Sequence, residues 1–543
     1  MTVTEAPRAV APATADPTPA ARPSGVAAVV GSGNPRTIGQ LFIGTSLIFL
    51  LVSGVVGVLV GLERIDTSSA DVFGDDLGRA YTLHTITGLF LVVLPLLLGL
   101  ATAIVPLQVG AATTAFPRVS AAAYWTYLIS GALMVASFAF DGGPFGSDAE
   151  GVDLFVVSLA AVLVAHTVAA ISVVTTVITL RAPGLTLRRT PLFAWSSLVA
   201  GVVWVLTLPV LAAMLVLAYV DLRHGGQLVG RSDRLYDHIA WVFWQPTVYA
   251  FAVPALGIVG DIVPTFGRRR LFKHNAALLL IGLFGALAFG AWAQLGVTND
   301  GGVDTPWLFG GPWVTTGVVA ALPVLGLVGL LATTLRKGAP RLGAPLLLGL
   351  AGAVLVLAGV AAGVATVIKP LDLDGTTWMT GQANLVLLGA IAAGFAGVAF
   401  WSPKLAGKLL PEPLLGLSAL LLLGGTLIYA VPDLVTGVMG QLRLVAGGAE
   451  GVDDIDTVEA LNLVSLIGGV IVVLGILAFL LAMAKPRGAG QVADDPWEGH
   501  TLEWATASPP AVGNFGTLPE IASEAPVYDA RHASSTASTE AAP

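Results

Sequence analysis

Few side chains in this sequence could take part in metal or proton chemistry, and the most suggestive of them lie within long apolar stretches. The chain has seven histidines and no cysteine. Neutral imidazole suits both iron and copper, so the intramembrane candidates His84 and His166 come first. The lack of cysteine excludes a thiolate metal site, a disulfide and a thiol nucleophile. Redox or proton chemistry would therefore depend on a handful of histidines, carboxylates and tyrosines.

The elements that carry these side chains are predicted to be membrane-spanning helices. Only 11% of the 543 residues are charged and the mean hydropathy is +0.84, whereas a soluble domain carries about 25% charged residues. A span needs about 20 mostly apolar residues. The sequence predicts an all-α polytopic membrane protein with spans at residues 41–62, 79–106, 120–141, 152–181, 191–220, 236–264, 275–297, 312–335, 343–368, 378–402, 411–433 and 458–484.

The flanking segments suggest the domain organisation and the orientation. Residues 1–35 are predicted to be a disordered N-terminal tail, 36–487 the membrane domain and 488–543 a partly ordered C-terminal tail lying on a surface. If the N-terminus is inside, loops on that side hold 15 Lys and Arg against 7 outside. Positive charge favours the cytoplasmic side, so both termini are predicted to be cytoplasmic. The net charge of −8 gives no reason to expect nucleic-acid binding.

Several motifs, in the same order and with similar loop spacing, resemble cytochrome c oxidase subunit I of the heme-copper oxidase superfamily, most closely the actinobacterial type. The C-terminal tail from Asp495 to Asp529 resembles that family as well. The resemblance implies the twelve-helix subunit I architecture in the cell membrane, beside oxidase-type subunits II and III or in another membrane complex. The motifs are Tyr81-Thr82-Leu83-His84, Val105-Pro106-Leu107-Gln108-Val109-Gly110, Arg181-Ala182-Pro183-Gly184, Trp244-Gln245-Pro246-Thr247-Val248-Tyr249 and Phe400-Trp401-Ser402-Pro403-Lys404.

The copper ligands that the family would supply are replaced in this chain. The family takes one histidine from helix VI and an adjacent pair from helix VII. Gln245 stands at the first position, and Gln294 and Leu295 stand at the pair. A glutamine amide is a poor copper ligand and leucine is none, so copper is not expected.

The resemblance implies that most heme ligands are replaced too. The family's helix X histidines correspond to Gly381 and Ala383, and its helix I arginine corresponds to Gly61. His84 corresponds to the helix II histidine that binds the low-spin heme. We expect His84 to be a retained, hydrogen-bonded structural residue near the outer surface, with ligation of one heme as the alternative.

The residues that carry protons in the family have likewise changed. Thr113 and Thr247 replace the acidic residues of one proton channel, and Val319 replaces the lysine of the other. Tyr249 remains, but its histidine partner is now Gln245. We therefore expect Tyr249 to make an ordinary buried hydrogen bond.

Three functions remain open at this stage. The first is a redox-inactive relative of subunit I that acts as a scaffold or partner in a respiratory-type membrane complex. The second is a single-heme electron-transfer subunit that uses His84. The third is a transporter or channel through the vacated interior. Homology alone would label the chain a terminal oxidase of aerobic respiration, although the missing ligands make oxygen reduction unexpected.

Three other polar residues in the spans have simpler interpretations. His166 is expected to hydrogen-bond to Gln or Ser on a neighbouring helix. Asp261 is expected to form a boundary salt bridge with the Arg268–Arg270 cluster, and Asp433 is expected near the outer end of helix XI.

Overall fold

A computed structural model describes residues 25–66, 72–144, 146–225, 232–292, 306–366, 368–373, 375–443, 454–485 and 492–540. The side chains of residues 75, 232–247, 290–292, 306–317, 369 and 534–540 lie outside this description. Within it the chain is almost entirely helical, and the β contact recorded is one isolated bridge between Thr376 and Leu442.

Each of the twelve predicted spans coincides with a helical segment. Eleven segments among the described residues are long and apolar enough to cross a membrane, and the remaining one, His274–Phe289, is shorter within that description. Helix α1 belongs to a separate unit, residues 1–32. The helices are α1 Val26–Val30, α2 Pro35–Glu63, α3 Leu77–Ile86, α4 Leu94–Gln108, α5 Pro117–Ser137, α6 Ala149–Thr179, α7 Leu192–His224, α8 Ser232–Phe266, α9 His274–Trp292, α10 Pro306–Lys337, α11 Ala344–Ala365, α12 Thr377–Phe400, α13 Ser402–Ala406, α14 Glu412–Val438, α15 Ile455–Ala484 and α16 Pro526–Glu540.

The second span is interrupted by a π-helical stretch. Residues Thr87–Val93 are π-helical and join α3 to α4. Pro95 has no N–H and cannot donate to the carbonyl of Leu91, four residues earlier. The Tyr127 hydroxyl donates to that carbonyl instead, at 2.9 Å. A neighbouring helix thus satisfies the freed backbone group, as the apolar interior of a membrane protein requires.

Small residues bring pairs of helices into direct backbone contact. A Cβ added at Gly352 of α11 would lie 2.7 Å from the Gly389 carbonyl oxygen of α12. A Cβ at Gly468 of α15 would lie 2.2 Å from the Tyr429 nitrogen of α14. A Cβ at Gly359 of α11 would lie 2.5 Å from the Val386 side chain and 3.0 Å from the Val386 nitrogen of α12. Backbone approach at small residues replaces the hydrophobic driving force that lipid cannot supply.

The C-terminal tail lies deeper than a peptide resting on a surface. Leu502, Glu503 and Trp504 are all buried. The Lys404 ammonium, just beyond α12, donates to the Thr506 carbonyl at 2.6 Å and to the Asp494 carbonyl at 2.9 Å. Burial lowers the pKa of Lys404 to about 8. The tail is therefore an integral part of one end of the helix bundle.

Candidate functional site

The main candidate site is a cavity beside His84, enclosed by α2, α3, α12, α14 and α15. Its volume is about 110 Å³ and its walls are mostly apolar. Glycines make several of these walls flat, because no side chain projects from them into the cavity. The glycines that line it are Gly54, Gly57, Gly61, Gly88 and Gly469.

The imidazole of His84 is held in one orientation. Its Nδ1 lies 2.8 Å from the Ser53 carbonyl oxygen and 3.2 Å from the Ser53 hydroxyl. A carbonyl can only accept, so Nδ1 carries the proton and Nε2 keeps its lone pair. Gly57 makes room for the ring, since a Cβ there would lie 2.5 Å from Cε1. The expected hydrogen bond of His84 is present, and the ring lines the cavity.

A buried ion pair lies beside the cavity, and its Arg64 is one of the lining residues. Arg64 donates to Asp433 at 3.4 Å, and both side chains are buried. The Ser465 hydroxyl donates to the same carboxylate oxygen at 3.3 Å. Arg64 follows α2 directly, but its side chain is buried against Asp433, 369 residues away in sequence.

The helix X positions do not present ligands to this cavity. A Cβ added at Gly381 would lie 2.7 Å from the Ala430 carbonyl oxygen of α14. Ala383 is buried in the core. The residues of α12 that do line the cavity include Thr380, which pairs with Tyr81 at 3.2 Å, and Asn384. Hydroxyl and amide groups are weak iron ligands, so the wall opposite His84 offers no second strong donor.

The copper positions are only partly within the described residues. The backbone at Gln245 and Thr247 is helical, but their side chains lie outside the description, and so do Gln294 and Leu295 altogether. Tyr249 is described: its hydroxyl accepts from Gln382 Nε2 at 3.0 Å. The prediction of an ordinary buried hydrogen bond for Tyr249 is confirmed.

The donor set decides which cofactors this chain could hold. Imidazole and sulfur donors suit copper, whereas the three positions that the resemblance assigns to its ligands hold Gln245, Gln294 and Leu295, a donor set that does not fit copper. Among the described residues no group of three His, Asp or Glu side chains is close enough to hold a metal ion. A heme would find one strong nitrogen donor, His84 Nε2, among the residues that line this cavity. The residues thus fit half of one heme site.

The two remaining proton-channel positions carry no titratable group. Thr113 is half-buried in the loop before α5 and lines a second cavity beside Lys404 and the tail. Val319 is half-buried on α10. Neither side chain can bind or release a proton near neutral pH.

His166 differs from its expected role. The ring is fully buried and neither of its nitrogens has a protein hydrogen-bond partner among the described residues. It packs against Tyr127, with the ring centroids 5.1 Å apart. The predicted bond to Gln or Ser was wrong, and aromatic packing takes its place.

A second polar site, missed by the sequence analysis, joins α4, α8 and the tail. Gln108 Nε2 donates to Asp261 at 2.8 Å and to Glu503 at 3.1 Å. Trp401 Nε1 also donates to Glu503, at 3.2 Å. Asp261 accepts from the backbone N–H groups of Leu192 at 2.9 Å and Phe193 at 3.1 Å. The predicted boundary salt bridge of Asp261 was wrong, because its carboxylate points to the first turn of α7.

The buried Glu503 predicts a pH dependence of stability. Burial raises the pKa of Glu503 above its ordinary value of 4.5. A raised pKa gives stability that is complete below pH 4.5 and is lost as pH rises through the folded-state value. As the pH rises from 4.5 toward the folded-state pKa of Glu503, the wild type should lose up to about 1.4 kcal/mol per pH unit from this group.

The test compares melting temperatures over that range. Glu503→Gln keeps an oxygen for Gln108 and Trp401 but cannot ionise, so its stability should fall less than that of the wild type. Glu498→Gln, at an exposed position of the same tail, serves as control and should follow the wild type. Parallel pH curves for Glu503→Gln and wild type would contradict the prediction. Lys404 stays protonated below pH 7 and does not enter this window.

Comparison with known proteins agrees with the architecture. Residues 37–471 match the family described as Cytochrome C and Quinol oxidase polypeptide I. The putative cytochrome c oxidase subunit 1-beta of Streptomyces coelicolor is 32% identical, over 92% of this chain and 89% of that protein. Cytochrome c oxidase subunit 1 of Corynebacterium glutamicum is 29% identical, over 96% and 91%. That of Bacillus subtilis is 28% identical, over 94% and 84%.

The family match covers most of the chain, and the relatives align along nearly their whole length. The apolar helices that carry the match form a multi-pass membrane protein. The resemblance inferred from the motifs is thereby confirmed. The chain belongs to the cytochrome c oxidase subunit I family.

Proposed function

We propose that this chain is a redox-inactive member of its family that serves as a scaffold or partner subunit in a respiratory-type complex of the cell membrane. Its termini would both be cytoplasmic, as the distribution of Lys and Arg suggests. The relatives bear the name subunit 1 of an oxidase, which supports oxidase-type subunits II and III as partners. The helix bundle would then act by contacting partner subunits through its surfaces.

One observation carries most of this proposal. At Gly381, where the family has a heme ligand, the backbone of α12 lies directly against the Ala430 carbonyl of α14. A histidine there would need space that α14 occupies. The missing ligand thus coincides with close packing of α12 against α14, which supports an interior adapted to the absence of that ligand.

The decisive experiment is the cofactor content of the purified full-length protein. We expect no copper, no heme bound in stoichiometric amount and no oxygen uptake with a reductant. Inductively coupled plasma mass spectrometry, a pyridine hemochrome assay and an oxygen electrode provide the three measurements. Stoichiometric heme and copper together with oxygen uptake would refute the proposal.

A single heme on His84 is the second candidate, and a specific geometry favours it. Nδ1 of His84 is fixed by Ser53, and the ring lines the cavity with the Nε2 lone pair unused by the described residues. Fixing one imidazole nitrogen in this way is how proteins orient a histidine toward a metal. When bound, a heme would supply one-electron transfer.

The spectrum of a His84 variant separates the two candidates. If one heme binds, a reduced-minus-oxidised difference spectrum shows heme bands that His84→Ala reduces at least tenfold. His532→Ala, at an exposed tail position, should leave them unchanged. The redox-inactive proposal expects no heme band in any of the three proteins.

A further inference from the structure

A basic cleft lies where three helices reach the same boundary of the bundle. Helix α6 ends at Thr179, α7 begins at Leu192 and α9 begins at His274. The cleft is lined by the loop between α6 and α7, by the start of α9 and the residues before it, and by residues 522–524 of the tail, and its volume is about 950 Å³. Because the apolar spans begin and end there, the cleft lies at the depth where phospholipid headgroups meet the hydrocarbon core.

The charges lining the cleft are mostly positive. Arg188, Arg189 and Lys273 contribute three cations, and Glu524 contributes one carboxylate. Arg189 Nη1 is held by the Gly184 carbonyl at 3.1 Å and the Ile521 carbonyl at 3.0 Å. Neither Arg188 nor Lys273 takes part in an ion pair among the described residues, and both are exposed. The cleft therefore has an excess of positive charge available to a ligand.

The beginning of α9 adds hydrogen-bond donors to this charge. The N–H groups of Ala276 and Ala277 bond to the Lys273 carbonyl. Those of His274 and Asn275, in the first turn, have no acceptor within the helix. These N–H donors lie in the same cleft as the cations of Arg188 and Lys273. Such a combination suits the oxygens of a phosphate group.

An apolar strip on α9 continues from the cleft into the membrane. Asn275 lines the cleft, and Leu279 and Leu283 follow at four-residue steps on the same helix face. Leu279 is 71% exposed and Leu283 is 43% exposed. A molecule with a phosphate headgroup and a long hydrocarbon chain could place its phosphate in the basic cleft and its chain along this apolar strip.

We propose that this cleft binds an anionic phospholipid, with its phosphate between Arg188 and Lys273 and one acyl chain along Leu279 and Leu283. The preference for an anionic lipid follows from the charge count, since a choline or ethanolamine headgroup would add a cation to a site that already has an excess. Basic pockets at membrane boundaries recognise anionic lipids by this charge. The inference does not depend on whether any cofactor is bound.

The test uses the full-length protein in detergent with added lipid. Native mass spectrometry and the shift in melting temperature measure binding of phosphatidylglycerol, phosphatidylcholine and inorganic phosphate. Phosphatidylglycerol should bind more tightly than phosphatidylcholine. Arg188→Gln and Lys273→Gln should each weaken it roughly fivefold at low salt. Arg118→Gln, at an exposed site at the start of α5 outside the cleft, should have little effect.

Three results would overturn the proposal. Equal binding of phosphatidylcholine and phosphatidylglycerol would remove the charge argument. An effect of Arg118→Gln as large as those of the two cleft variants would show general surface attraction. Displacement of the lipid by inorganic phosphate at similar concentration would identify a site for soluble phosphate, to which the strip at Leu279 contributes nothing.

Discussion

Replacing Gly381 by alanine should destabilise the protein by about 1–2 kcal/mol, and replacing it by histidine should cost considerably more. In an unhindered helix, alanine would gain roughly 0.5–1 kcal/mol over glycine. At Gly381 the new Cβ would lie 2.7 Å from the Ala430 carbonyl oxygen. This atom belongs to the backbone of α14 and cannot rotate away, so the steric cost of overpacking, about 1–3 kcal/mol, exceeds the gain.

Melting temperature in detergent is the measurement, and Gly416→Ala is the matched control. A Cβ at Gly416, also in a membrane-spanning helix, would meet no atom within 4 Å, so that variant should be neutral or slightly stabilising. A Gly381→His protein that melts like the wild type and acquires a heme spectrum would contradict both the packing argument and the proposed function. Reintroducing the family's residue should not restore its chemistry, because the space for it is gone.

Replacing Asp261 by alanine should destabilise the protein by about 2–4 kcal/mol. The carboxylate accepts from two backbone N–H groups at the start of α7 and from Gln108. A hydrogen bond to a charged group contributes about 1.5–3 kcal/mol, and a buried donor without a partner costs more still. Removing Asp261 also removes a buried charge close to Glu503, which offsets part of this loss and sets the expected range.

Thermal unfolding of Asp261→Ala, Asp261→Asn and a surface control would test this prediction. Asp261→Asn keeps one oxygen acceptor and should lie between the wild type and alanine. Asp456→Ala, at an exposed position in the first turn of α15, should change stability by less than about 0.5 kcal/mol. If Asp261→Ala were no more harmful than Asp456→Ala, the three hydrogen bonds would not contribute to stability.

The helices were predictable because hydropathy is a local property. The second span was expected at residues 79–106, and helical structure runs from Leu77 to Gln108. The π-helical stretch within it was not predicted, and neither was the hydrogen bond that Tyr127 of another helix donates to the Leu91 carbonyl. Length and apolar content reveal a span, whereas its internal geometry depends on what packs against it.

The polar residues show the limit of sequence reasoning most clearly. Asp261 was assigned to the Arg268–Arg270 cluster because those residues are close in sequence, but its partners are Gln108, Leu192 and Phe193. Glu503 was not singled out at all, although it is fully buried. No periodicity marks a tail carboxylate that enters a helix bundle, and the Trp504 beside it was the only local sign of burial.

The sequence by itself determined the class of membrane protein, the family motifs and the residues that the resemblance aligns with the family's ligands, because all of these depend on residue type and order alone. Only the tertiary structure decided that His84 faces a cavity while Gly381 meets the Ala430 carbonyl. Whether a missing side chain leaves an empty site or a closed interface depends on the approach of helices distant in sequence. That approach is set by close packing across the whole bundle.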